Sequence, residues 1–243
     1  MSNDLVPKQP SYADWIEALD IEDVASEVTD IAEFAPYVKY VVGAYKWYRT
    51  WRAKRFLRAL RTAADEMPEA KKKALDRLLK SNEGGEILAQ YVDSVLRTSS
   101  KTAIVALALL YADADHETYP REFKLAAALA LEGISEQEVD AFLDLSQVTD
   151  FIPARNQPNP PYPVAVANDK LIDSFPNTAE FLRPPATRVA VVNDLINRGL
   201  LLPDFASARY SDGGVGPTYG VSDATRKFAG LLNAARALLP SAG

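Results

Sequence analysis

Apolar positions along the chain recur at helical spacing almost throughout and rarely alternate as in a strand. In Ser11–Asp20, Trp15, Ile16 and Leu19 share one face, with Ser11 in the N-cap position; Val24, Val28 and Ile31 repeat the spacing in Ile21–Glu33. The stretch Phe34–Ala64 changes face part-way. At about 100° per residue, Tyr37, Tyr40, Val41, Ala44, Trp47, Tyr48 and Trp51 fall on one side. Ala53, Phe56, Leu57, Leu60 and Ala64 fall nearly opposite. A switch near Arg52 requires a kink, or one long helix packed on two different neighbours. Met67-Pro68 ends it, because the residue before proline avoids helical angles.

Further helices are expected at Glu69–Lys80, from an Asn82 cap to about Ser99, and at Lys101–Ala112, Arg121–Glu132 and Ser135–Val148. Lys101–Ala112 is nearly all apolar and so predicts a central helix touched on most sides. Ser135 with Glu138 forms a capping box. Residues 149–163 hold five prolines within FIPARNQPNPPYP and no periodicity, which marks a linker between a helical domain, 1–148, and a second domain, 164–243. In the latter, helices are expected at Val164–Ser174 and Ala186–Arg198, the second stopped by Gly199. Ser211–Gly214 reads as a hairpin turn between strands Ala206–Tyr210 and Pro217–Val221. Ser222 caps a closing helix with Phe228, Leu231 and Leu232 inward.

Charge changes this picture at one place. The chain has 243 residues and a formal net charge of −6, so any contact with nucleic acid or anionic lipid has to come from a local patch. Phe34–Ala64 carries eight bases and no acid: Lys39, Lys46, Arg49, Arg52, Lys54, Arg55, Arg58 and Arg61. Asp4–Glu33, directly before it, holds nine acids against Lys8. One reading is a functional patch, Lys46, Arg49, Arg52, Arg55, Arg58 and Arg61 with Trp47 and Trp51, meeting anionic membrane, nucleic acid or an acidic protein. The other is internal: the acidic helices lie along the basic one and neutralise it, and its aromatics are core.

The end of the chain carries the most specific pattern. A helix closing in Arg198-Gly199-Leu200-Leu201, the SDGG turn, Tyr219, Val221, Ser222 and Phe228 together resemble winged-helix domains. Thr225 stands where that family usually has glycine. The likeness implies a small β-hairpin wing and, in many relatives, DNA binding. The helix in the recognition position would offer Thr187, Arg188, Asn193, Asn197 and Arg198, and the wing Arg209, with Asp194, Asp204 and Asp212 opposing. The N-terminal half is similar to uncharacterised bacterial helical proteins.

Chemistry for catalysis is sparse. There is no cysteine and one histidine, His116, which leaves no thiolate nucleophile or zinc-thiolate site and fits a reducing compartment. Asp113, Asp115 and His116 are metal candidates by residue type, and equally turn and capping residues. No G-x-S-x-G elbow and no Walker loop is present. No run is long and apolar enough to span a bilayer, and Met1–Pro10 lacks the order of a signal peptide. The expectation is a mainly α, cytoplasmic protein with a C-terminal winged helix, no catalytic residues, no cofactor and no small-molecule substrate. It acts as an adaptor with a protein partner or by self-association, or alternatively as a DNA-binding regulator.

Overall fold

A computed structural model describes residues 36–149, 151, 162–203 and 216–239, with residues 36–50, 79, 82, 83, 85, 86 and 89 as backbone only. The two expected N-terminal helices, the Ala206–Tyr210 strand, the Ser211–Gly214 turn and most of the proline-rich stretch lie outside the described residues. Ten helices and three short strands make the described chain mainly α.

The centre is helix α4, Lys101–Ala112, and ten of its twelve residues are buried. Its composition explains its place: with no polar face, it is stable only when surrounded. Ser100 caps it, accepting from the Ala103 amide at 3.0 Å. Helices α1 (Pro36–Asp65), α3 (Asn82–Arg97), α5 (Arg121–Leu131), α6 (Glu136–Ser146) and α10 (Asp223–Ala237) pack around it.

Helix α1 is one continuous helix of 30 residues. Phe56, Ala59, Leu60 and Ala63 are its buried stripe, facing α4 and α3. Pro68 precedes α2, Glu69–Leu79, as its N-cap. The cap of α3 is Ser81 rather than Asn82: the Ser81 hydroxyl accepts from the Gly84 amide at 2.9 Å. Gly84 is required there, because a Cβ would stand 1.7 Å from the Leu78 carbonyl oxygen. The capping box of α6 forms as its sequence predicts, with the Ser135 amide donating to Glu138 at 2.7 Å.

After α6 the order is strand, two short helices, a longer helix, two strands and a closing helix. Strand β1 is Val164–Val166, followed by α7, Asp169–Ile172, capped by Asn168. The helix expected at Val164–Ser174 is thus half strand: Val164, Ala165 and Val166 are all buried and β-branching favours the pleat. Helices α8, Ala179–Leu182, and α9, Pro185–Asn197, come next. Gly199 stops α9 at φ 74°, and the Leu200 and Leu201 amides both return to the Leu195 carbonyl. Strands β2, Leu202–Pro203, and β3, Thr218–Gly220, complete an antiparallel sheet ordered β1-β3-β2.

Tyr219 on the middle strand is fully buried and donates to the Leu145 carbonyl of α6 at 3.2 Å. Helix α10, capped by Ser222, lays Phe228, Leu231 and Leu232 against α4 and α6. Buried residues on both sides of the proline-rich stretch form one cluster. The boundary expected at 149–163 therefore does not divide the core.

Candidate functional site

Helix α9 occupies the position for which the sequence offered Thr187, Arg188, Asn193, Asn197 and Arg198. Its buried stripe is Arg188, Val191, Val192 and Leu195. Arg188 is 2% exposed. Its guanidinium donates to the carbonyls of Leu182 (3.0 Å), Ala167 (3.1 Å) and Arg183 (3.0 Å) and to the Asp169 carboxylate (2.6 Å). These bonds tie α9 to α7, α8 and the end of β1, so Arg188 is an internal fastener and not an available contact residue. The fixed fork of arginine suits such a multi-carbonyl site.

Arg198 is similarly committed. It meets Asp194 at 2.5 Å and donates to the Glu132 carbonyl at 2.5 Å and the Ala130 carbonyl at 3.3 Å. A cation at the unsatisfied carbonyls ending α5 is favourable in itself. Thr187 is half-buried, whereas Asn193 and Asn197 are exposed. Arg209 lies outside the described residues.

The outward strip of α9 is then Ala186, Val189, Ala190, Asn193 and Asn197, all exposed and none charged. Val189 is 44% exposed. Sequence reading named Asn193 and Asn197 of this strip but missed Ala186, Val189 and Ala190, because ATRVAVVNDLINR has more apolar positions than one face can bury. That excess was the available signal. Among the described residues, Leu125 and Leu129 on α5 are the other exposed large apolar residues, at 60% and 64%.

The basic stretch divides by face. Lys46, Trp47 and Arg49 fall in the first half of α1. Arg52 is 8% exposed and donates to the Leu96 carbonyl of α3. Arg55 is half-buried, its guanidinium 4.4 Å over the ring of Trp51. Burial pushes the Arg55 pKa down, with Glu136 opposing. Arg58 and Arg61 are exposed. The expected single patch is therefore not one surface: Arg52 belongs to the helix packing.

The metal candidates are not assembled. Asp113 Oδ2 pairs with Lys124 Nζ at 3.0 Å and accepts the Tyr119 amide at 2.9 Å. Asp115 stands 4.0 Å from Lys71, whose closer partner is Glu117 at 3.1 Å, and the Glu117 hydrogen bond raises the Lys71 pKa. His116 is exposed with φ 59°, as a turn residue. Among the described residues no group of three His, Asp or Glu is placed to hold a metal ion, and no helix is long and apolar enough to cross a membrane. In comparisons with known proteins, no family model, no curated protein and no solved structure matches the chain.

Proposed function

We propose that the chain is a non-catalytic interaction module whose C-terminal part is a winged helix turned to protein contact, working in a bacterial cytoplasm. The element order from α6 to α10 and the β1-β3-β2 sheet support the winged-helix reading. One observation carries the choice of partner: the outward strip of α9 is uncharged, and of the two arginines that adjoin it in sequence, Arg188 is buried and Arg198 is half-buried and held by Asp194 and the carbonyls of Ala130 and Glu132. A duplex reader gains most of its affinity from bases set against phosphates. The centre of a protein interface, by contrast, is depleted in charge. Ala186, Val189, Ala190, Asn193 and Asn197 fit the second description.

The same topology keeps DNA binding as the rival reading, and a salt-titrated gel shift of the full chain on generic duplex separates the two. The protein-contact reading expects no retardation up to about 10 μM chain, well into the range where non-specific duplex binders already associate. Co-purification from the host with the wild-type chain and with Val189→Asp is the positive arm. A partner retained by the first and lost by the second supports the reading. Retardation that weakens steeply with salt and is lost with Asn193→Glu and Asn197→Glu replaces it with the DNA regulator.

A further inference from the structure

The described half of α1 sorts its bases by depth. Arg52 is buried and Arg55 half-buried, whereas Arg58 and Arg61 are exposed, with Lys54 half-buried beside them. Lys54, Arg58 and Arg61 follow i, i+4, i+7 spacing and so form one strip, on the side away from Phe56, Leu60 and Ala63. Asp65 approaches Arg61 only to 4.0 Å, with both side chains exposed, and an ion pair of that kind contributes little. Among the described residues, Lys54 and Arg58 form no ion pair.

We propose that the acidic segment Asp4–Glu33 of the same chain folds back along this strip and is its occupant. Three observations choose it over a foreign anion. The first is charge: nine acids against Lys8 meet a helix whose sequence carries eight bases and no acid through Ala64. The second is connection. Glu33 stands three positions before Pro36, where α1 begins, so the segment acts at the millimolar effective concentration typical of short tethers. The third is reach. From Pro36 to Arg61 is about 38 Å along the helix, and 30 residues span about 45 Å even when helical. The strip is thereby covered from within, and an external anionic surface has to displace the segment to reach it. This inference concerns α1 and stands apart from the reading of α9.

Carbodiimide coupling of the full chain, which joins carboxylates to lysines at zero length, tests it. Unlabelled and uniformly heavy-nitrogen chains are mixed in equal amounts before coupling, and the products are mapped by peptide mass spectrometry. The expected products join Lys54 to carboxylates of Asp4–Glu33 and are wholly light or wholly heavy. They fall about fivefold or more when salt is raised to about 1 M, where screening reaches about 3 Å. They fall similarly in the double variant Arg58→Glu, Arg61→Glu, whose thermal midpoint stays near wild type because both side chains are exposed. Mixed light-heavy products would make a second copy the occupant and overturn the proposal. So would an absence of Lys54 products at low salt, or yields that neither salt nor charge reversal changes.

Discussion

Asp113 Oδ2 lies 3.0 Å from Lys124 Nζ with both side chains buried, which makes this the ion pair most removed from water among the described residues. The amides of Thr118 and Tyr119 also point at the carboxylate, at 3.2 and 2.9 Å. Lys124 donates as well to the Asp113 carbonyl. The pair thus closes the loop between α4 and α5. Burial alone would push the Asp113 carboxyl up, but the Tyr119 amide, the Lys124 ammonium and the Thr118 amide together hold it below its usual range.

Breaking this pair on one side leaves a buried charge without its partner. Lys124→Met is expected to cost about 3–5 kcal/mol by urea denaturation. Asp113→Ala is expected to cost at least as much, since it also orphans two amides. A loss under about 1 kcal/mol in either variant would assign the pair the weight of a surface contact and contradict the account.

Acid should loosen the fold for a related reason. Glu136, the first residue of α6, accepts from the Ser100 hydroxyl at 2.7 Å and the Thr102 amide at 3.3 Å, and so ties α6 to the start of α4. Burial pushes its carboxyl up, but the Thr102 and Ser100 hydrogen bonds outweigh this and depress it. For Asp113 and Glu136 the folded pKa is below the unfolded one. Their stabilisation is present above the ordinary carboxylate range of about 3.9–4.3 and is lost as pH falls through the lower folded values. Asp140 has the opposite sign, since burial raises it against the pull of Arg236. Thermal midpoints measured against pH should therefore drop below about pH 4. The drop should be shallower in Glu136→Gln, and an unchanged acid limb in that variant would remove Glu136 from the explanation.

Two glycines should respond oppositely to alanine. At Gly84 the new methyl would meet the Leu78 carbonyl oxygen at 1.7 Å, so the α2–α3 turn must shift, at about 1–3 kcal/mol or more. At Gly230, exposed on α10, nothing lies within 4 Å of that methyl. There the better helix propensity of alanine should add about 0.5–1 kcal/mol. Denaturation midpoints that move in the same direction for both variants would contradict this.

Arg188→Lys tests the internal role of Arg188. A single ammonium cannot replace a fork that serves three carbonyls and the Asp169 carboxylate. Each buried group left unmatched costs about 1–3 kcal/mol. Measurable destabilisation is expected in the absence of any ligand. A variant as stable as wild type would return Arg188 to the list of contact residues.

Local rules settled much of this protein before any packing was known. The all-apolar TAIVALALLYA could only be a central helix, because it has no face to offer water. Ser135 with Glu138, Gly199 and Ser222 act through neighbours three to five positions away, and all of them end or begin helices where the local pattern places them. Tertiary packing decided the rest. Val164–Val166 became a strand because β3, more than fifty positions later, supplies its hydrogen-bond partners. Arg188 and Arg52 read as surface cations in the sequence. They are buried because carbonyls of Ala167, Leu182 and Leu96, distant or unordered in the local pattern, converge on them. A guanidinium's burial depends on which groups accept its hydrogen bonds, and that information lies in long-range contacts rather than in helical periodicity.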